Sequence, residues 1–191
     1  RKSWANNGSM ALALWQLDLD SELLFVGDAG NTETSDASRR KGVELSVYYR
    51  VAENWLLDAE YSRSDSKFTG VASGQNDIPG AIDEVVQAGV GFEGLSGWSG
   101  NLRLRYFGER LLVEDDSVSS DASSVLNLRL GYDIDKWSLK CDVLNLLDSD
   151  DHDIDYYYAS QLASESVGSD NVHFHVIEPR TVRLSARYLF D

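Results

Sequence analysis

IEPRTVRLSARYLF, residues 177–190, repeats apolar and polar residues with a period of two. Val182, Leu184, Ala186, Tyr188 and Phe190 fall on one side of an extended chain, and Thr181, Arg183, Ser185 and Arg187 on the other, because successive side chains of a strand point to opposite faces. A soluble sandwich would turn the apolar side into a core. The alternating run here is about ten residues long and gains aromatics toward its end, which suits a bilayer-spanning strand of roughly 9–11 tilted residues.

Composition narrows the choice. The 191 residues are 42% hydrophobic and 10% aromatic, which argues against disorder. No run of 18 apolar residues occurs, so a transmembrane helix is excluded and a membrane role requires a barrel. Fifteen glycines against two prolines, with abundant Val, Leu, Tyr, Ser and Asp, favour strands and turns. A net charge of -15 would repel nucleic acid phosphates. Cys141 is the only cysteine, so no internal disulfide and no cysteine metal site is expected. The sequence opens at Arg1 without Met or a secretory signal, so it is expected to be a piece of a longer, exported chain.

Working back from 177–190, the same alternation recurs. GSMALALWQLD, 8–18, sets Ala11, Ala13, Trp15 and Leu17 on one face, and 22–27 predicts a further short strand. Polar residues 28–40 predict a loop. Val43, Leu45, Val47 and Tyr49 share one face of 42–50, and after a turn at 51–54 so do Trp55, Leu57, Ala59 and Tyr61. These two runs predict a hairpin. Strands are further predicted at 82–93, 98–107, 123–134 and 136–147, separated by loops at 63–81 and 109–122, by short turns, and by a last long connection at 148–176.

About nine strands result, and their connections alternate between tight turns and long loops. An outer-membrane barrel sorts its connections this way, with short periplasmic turns and long extracellular loops. Trp55, Trp98, Trp137, Tyr106, Tyr132 and Tyr188 lie near strand ends, where interfacial aromatic girdles belong. The expected fold is all-β: an antiparallel, up-and-down transmembrane β-barrel, present here as an arc of about nine strands.

Four stretches carry a family resemblance: RRKGVELS at 39–46, IPGA at 78–81, VLNLRLGYDIDKWSLKCDVLNLLD at 125–148 and EPRTVRLSARYLF at 178–190. Asn145, Leu146, Leu147 and Asp148 resemble the NLFD-like signature near the end of the penultimate barrel strand of TonB-dependent outer-membrane receptors, with Leu147 where Phe is commoner. The resemblance makes residues 1–191 the C-terminal part of such a barrel, lacking the plug and the TonB-contacting segment. It implies a Gram-negative outer-membrane location, surrounding lipid and lipopolysaccharide, and energy-dependent uptake of a scarce ligand such as a ferric siderophore. It further implies that barrel-assembly machinery reads the last strand through Tyr188 and Phe190. A small porin-like or adhesin barrel and a soluble β-sandwich binding domain are the alternatives. No enzyme motif occurs: G-x-S-x-G and H-E-x-x-H are both absent.

Candidate ligand residues lie in the last long loop. Tyr156, Tyr157 and Tyr158 offer aromatic surface for a planar ligand, or else continue a strand and pack on neighbouring loops. His173 and His175, two residues apart, share a face if extended and offer imidazoles to a transition metal or haem iron, or else bond within the loop. Asp150, Asp151, Asp153 and Asp155 lack the order and glycine of a calcium loop and read as a solvated acidic segment, so no metal site is expected. Arg103, Arg105, Arg129, Arg183 and Arg187 are expected on the lumen side, either attracting an anionic chelate or an acidic plug, or pairing with Glu44, Asp58, Glu60, Asp133 and Asp142 across strands.

Overall fold

The computed structural model describes residues 2–4, 7–26 and 31–190, and these form strands, turns and loops with no helix. Nine strands make one antiparallel sheet: β1 (Lys2–Trp4), β2 (Gly8–Leu19), β5 (Ser38–Ala52), β6 (Trp55–Phe68), β7 (Glu84–Leu95), β8 (Trp98–Phe107), β11 (Ser123–Ile134), β12 (Trp137–Leu144) and β15 (Thr181–Tyr188), neighbours in that order. The sheet is an open arc, with β1 and β15 at its edges. Three hairpins occupy the long connections: β3 (Leu23–Val26) with β4 (Asn31–Thr34), β9 (Arg110–Leu111) with β10 (Ser119–Ser120), and β13 (His152–Ser160) with β14 (Ser169–Val176).

The expected number of sheet strands is therefore met with one exchange of members. The strand predicted at 22–27 leaves the sheet to pair with β4, and β1 takes the ninth place. Glu22 is the reason. Its carboxylate accepts from Ser38 Oγ at 2.6 Å and Arg40 Nη2 at 2.5 Å, and its carbonyl from Ser35 N–H at 2.8 Å, folding 22–37 back on itself. The loop predicted at 28–40 thus contains β4 and the first residues of β5; positions 28–30 lie outside the described residues.

Two-residue turns close the other end. Ser96–Gly97 joins β7 to β8 with φ of 53° and 86°, and Asp135–Lys136 joins β11 to β12 with Asp135 at 50°. Positive φ at such sites matches hairpin twist and selects Gly, Asn or Asp. A Cβ on Gly97 would also stand 2.4 Å from the Asp133 carbonyl oxygen, so no other residue fits. Directly after each of three short turns comes a tryptophan, and each meets an aromatic ring on the adjoining strand: Trp55 with Phe92 at 5.1 Å, Trp98 with Tyr132 at 4.7 Å, Trp137 with Tyr188 at 4.9 Å.

Register sorts the two faces. One continuous apolar row runs Tyr49, Leu57, Val90, Leu102, Leu128, Val143, Val182 across seven strands. On β8, β11, β12 and β15 that face carries no charged residue. On β2 the residues read as one face, Ala11, Ala13, Trp15 and Leu17, do share a face, and pairing with β5 decides which side of the sheet it is. Met10, Leu12 and Leu14 join the apolar face opposite Val47, Leu45 and Val43, whereas Ala11, Ala13 and Trp15 face the polar side with Ser46, Glu44 and Gly42. Both faces of β2 are apolar, so alternation alone leaves that side open.

Those apolar side chains are not a core. Leu14 is 78% exposed and Leu184 77%, while the buried hydrophobics Phe68, Ile78, Leu112, Val125 and Ile177 all lie where strands run into the long loops. On β5 the apolar face runs from Val43 to Val51, about 26 Å at roughly 3.3 Å per residue. Tilted by roughly 40°, this gives about 20 Å of height, close to the apolar band of about 25 Å on membrane barrels.

Candidate ligand-binding loops and the polar wall

The loop layer hangs from one corner of the sheet. β12 ends at Leu144, and Asn145 turns the chain with φ of 49°. Its side-chain oxygen accepts from Ser149 N–H at 3.0 Å, and its Nδ2 donates to the carbonyls of Ser149 at 2.8 Å and Glu178 at 3.1 Å. Its own N–H donates to Asn127 Oδ1 on β11 at 2.9 Å. Asp148, at φ 58°, accepts from Arg180 N–H at 2.9 Å and pairs with its guanidinium at 3.0 Å. The stretches NLLD and EPR are thus bonded to each other, which accounts for both appearing in the sequence. Leu147 stands outside this knot, 68% exposed.

From that corner rises the β13–β14 hairpin, tied to its neighbours by polar contacts. Asp151 accepts from Ser124 N–H at 2.8 Å. Arg110, in the neighbouring loop, is buried; it donates to Asp155 Oδ2 at 2.7 Å, to the Asp153 carbonyl at 3.1 Å and to Ser120 Oγ at 3.2 Å. Asp155 takes His152 Nδ1 at 2.7 Å on its other oxygen, and the His152 ring stacks on Phe174 at 3.8 Å. The loop after β6 packs on the same layer: Gly80 N–H donates to the Leu111 carbonyl at 2.8 Å, Asp77 N–H to the Glu114 carbonyl at 3.1 Å, and Lys67 pairs with Asp77. Nearby, burial raises the Asp83 carboxyl above its usual range and the charge of Asp65 adds to this, whereas the hydroxyl and N–H of Ser117 hold Asp115 below it.

Strand pairing divides the expected tyrosine cluster. Tyr156 lies opposite His173 and Tyr158 opposite Asn171, whereas Tyr157 faces the other way, opposite Val172. His173 stacks on Tyr158 at 3.9 Å, and its Nε2 is enclosed without a hydrogen-bond partner. His175 shares that face and bonds Asp153 at 2.8 Å. One side of the hairpin therefore presents Tyr156, Tyr158, His173 and His175. Among the described residues no group of three or more His, Cys, Asp or Glu is placed to hold a metal ion.

The five arginines share the polar face of the sheet. Arg103 makes a two-armed pair with Asp58 at 2.9 and 3.0 Å across Gly89, which has no side chain to intervene, and Arg129 pairs with Asp142. Arg105 lies over the Phe107 ring at 5.1 Å. Arg183 and Arg187 form no ion pair among the described residues, nor do Glu44, Glu60 and Asp133. Cys141 lies on the opposite, apolar face, between Leu130 and Leu184. Tyr188 meets Phe190 edge-on at 4.9 Å, and Phe190 is 85% exposed. Sequence reasoning missed Arg110, although it is the one cation in an otherwise acidic loop, 108–122.

Residues 2–146 match the family model described as TonB dependent receptor-like, beta-barrel. Among solved structures, the ferric-catecholate import receptor Fiu of E. coli K12 is 20% identical, with a TM-score of 0.66 over 96% of this chain and 25% of that one. The siderophore receptor PiuA of Acinetobacter baumannii is 14% identical, with a TM-score of 0.68 over 96% of this chain and 26% of that one. The copper transporter OprC is 18% identical, with a TM-score of 0.65 over 96% of this chain and 29% of that one. The chain thus spans between a quarter and three tenths of the length of these structures.

Proposed function

Because the chain belongs to the TonB-dependent receptor β-barrel family, we propose that residues 1–191 form the C-terminal part of a Gram-negative outer-membrane receptor for energy-dependent uptake of a ferric siderophore or similar iron complex. The observation that carries this reading is the hairpin face of Tyr156, Tyr158, His173 and His175, held on the loop layer by Arg110 and Asp151. Aromatic and imidazole rings on a fixed platform suit stacking on a planar chelate. Neighbours named for a ferric catecholate and for a siderophore agree with an iron complex, while one named for copper shows that the fold alone does not choose the cargo.

On this reading the apolar face meets lipid, with lipopolysaccharide beside the loops, and the polar face with its five arginines lines the lumen. Energy reaches the receptor from the TonB complex through a plug segment, and the assembly machinery reads Tyr188 and Phe190. The family and the structural neighbours are transport receptors rather than enzymes. The reading is tested in the full-length receptor with ⁵⁵Fe-labelled ferric chelates. Combining Tyr156→Ala, Tyr158→Ala and His173→Gln should weaken binding at least about tenfold, the equivalent of roughly 1.4 kcal/mol. Unchanged affinity would remove the hairpin face from the site, and failure to take up any ferric chelate would sink the receptor reading for iron.

A further inference from the structure

The chain carries a net charge of -15, yet the polar face of β8, β11, β12 and β15 holds six cations against two carboxylates. The cations are Arg103, Arg105, Arg129, Lys140, Arg183 and Arg187; the carboxylates are Asp133 and Asp142. Register places them in five successive cross-strand rows. Arg105 stands opposite Val125, Arg103 opposite Asn127, Arg129 in the row of Asn101, Asp142 and Arg183, Lys140 in the row of Gly131 and Ser185, and Arg187 opposite Ser138. Every level from the loop end to the tight-turn end therefore has a positive charge, at intervals of about 6.6 Å for two residues of strand. Asp58 and Asp142 neutralise Arg103 and Arg129. Lys140, Arg183 and Arg187 stay exposed and form no ion pair among the described residues.

Two further observations say what this wall takes. A groove of about 750 Å³, within the range of small-molecule sites, opens beside its tight-turn half, between β5–β7 and the wall, where Arg50, Arg103, Arg129 and Lys140 border it together with Glu53, Asp58 and Glu93. Below Phe107, Val125 and Leu144 the wall carries no large apolar side chain; its neutral positions are Ser99, Asn101, Asn127, Gly131, Ser138 and Ser185. A permanent protein contact has an apolar, aromatic-rich centre, and this wall has none. A hydrated anion needs no such centre and gains from cations set at every level, since a charged, walled groove raises the local concentration of its counter-ion.

We infer that this wall is a path for anionic cargo, so that the chelate carried is a net anion, handed from Arg105 at the loop end toward Lys140, Arg183 and Arg187. The inference rests on the receptor reading above and deepens it. The test uses the full-length receptor in cells dependent on it for iron, offered a ferric tris-catecholate trianion, anionic ferric citrate, a neutral ferric hydroxamate and cationic ferrioxamine, each ⁵⁵Fe-labelled. The expected result is uptake of an anionic chelate, reduced about tenfold or more by Lys140→Gln/Arg183→Gln/Arg187→Gln with surface binding at 0 °C unchanged. Restoring charge with Arg183→Lys/Arg187→Lys in place of the glutamines should recover most of the rate. Uptake confined to neutral or cationic chelates, or a charge-independent rate, overturns the inference and leaves the receptor reading intact. Equal loss for chelates of every charge, with plug protease resistance lowered, overturns it in favour of a plug contact. No uptake of any chelate removes both.

Discussion

Replacing Asp155 by Asn probes the most deeply buried charge pair of the loop layer. The Asp155 side chain is 1% exposed and that of Arg110 7%, and they meet at 2.7 Å. The amide keeps the carboxylate's shape but only one of its two accepting oxygens and none of its charge, so the guanidinium stays buried among neutral partners, Ser120 Oγ and the Asp153 carbonyl included. Breaking a buried pair by removing one charge costs about 3–5 kcal/mol, because an uncompensated charge stays behind, whereas replacing both partners with apolar residues is often close to neutral. The pair joins two loops, so the loss should appear as local opening. In detergent-solubilised full-length receptor, amides of 152–160 and 169–176 should exchange at least about a hundredfold faster in Asp155→Asn, given roughly 1.4 kcal/mol per factor of ten. Amides of β11 and β12 serve as the internal reference and should hold. The double variant Arg110→Met/Asp155→Leu should return most of the protection. Acceleration below about tenfold in Asp155→Asn, or a double variant worse than the single, would refute the claim that this pair holds the hairpin down.

Three further outcomes are expected. Asn145→Ala loses four side-chain hydrogen bonds and a residue type that tolerates positive φ, so the barrel should unfold, by heat-dependent gel mobility, as though weakened by about 2–4 kcal/mol; Asn145→Gly, which relieves only the backbone, should lose nearly as much. Gly42→Ala would set a Cβ 2.7 Å from both the Arg63 carbonyl oxygen and the Trp15 ring, costing about 1–3 kcal/mol, and adding Trp15→Val should restore only part because the carbonyl cannot withdraw. At Asp83 burial, and then the charge of Asp65, raise the carboxyl above its ordinary 3.8. The folded loop therefore binds more protons than the unfolded chain, and this contribution favours folding below the ordinary value and fades as pH climbs through the raised one. Asp83→Asn should flatten that decline in loop protection as the pH climbs above 3.8; an identical slope in both proteins would exclude Asp83 as its source.

Strand positions were legible because alternation against two solvents leaves a period-two trace. The span 123–134 comes out as read, and 98–107 likewise. Legibility failed where that trace is ambiguous or absent. β2 is apolar on both faces, so its register depends on β5. The loop hairpins lack a clean alternation, and the apolar β3 pairs outside the sheet because of single contacts, such as Glu22 to Ser38 and Arg40, which no periodicity announces. At the candidate site, sequence spacing correctly put His173 and His175 on one face. It could not tell that Tyr157 would be turned away from Tyr156 and Tyr158 within the candidate cluster, because that requires knowing the segment to be a strand rather than a coil. Arg110 was invisible as a structural residue because its partners Asp153 and Asp155 lie more than forty positions later, in a stretch that reads as solvated acid.

On the receptor reading proposed above, the distribution of burial constrains how the chain works. In a water-soluble protein the sheet would hold the buried side chains and the loops would be its loosest part. Here Ile78, Leu112, Arg110, Asp155 and Asn145 are buried above the sheet, while Leu12, Leu14 and Leu184 within it are open. Apolar strand surface gains nothing from hiding when its surroundings are lipid, so the protein's own packing is concentrated in the layer that meets water. The β13–β14 hairpin is consequently braced on three sides, by Asn145 below, by Ser124 of β11 through Asp151, and by Arg110 from the adjoining loop. A face braced in this way loses little conformational freedom when a ligand settles on it. Any ligand-driven movement of the hairpin must carry 108–122 with it, or break the Arg110–Asp155 pair, and the second route is opposed by several kcal/mol. Closure over a bound chelate is therefore expected as a joint shift of these two loops, with the hairpin itself unchanged in shape.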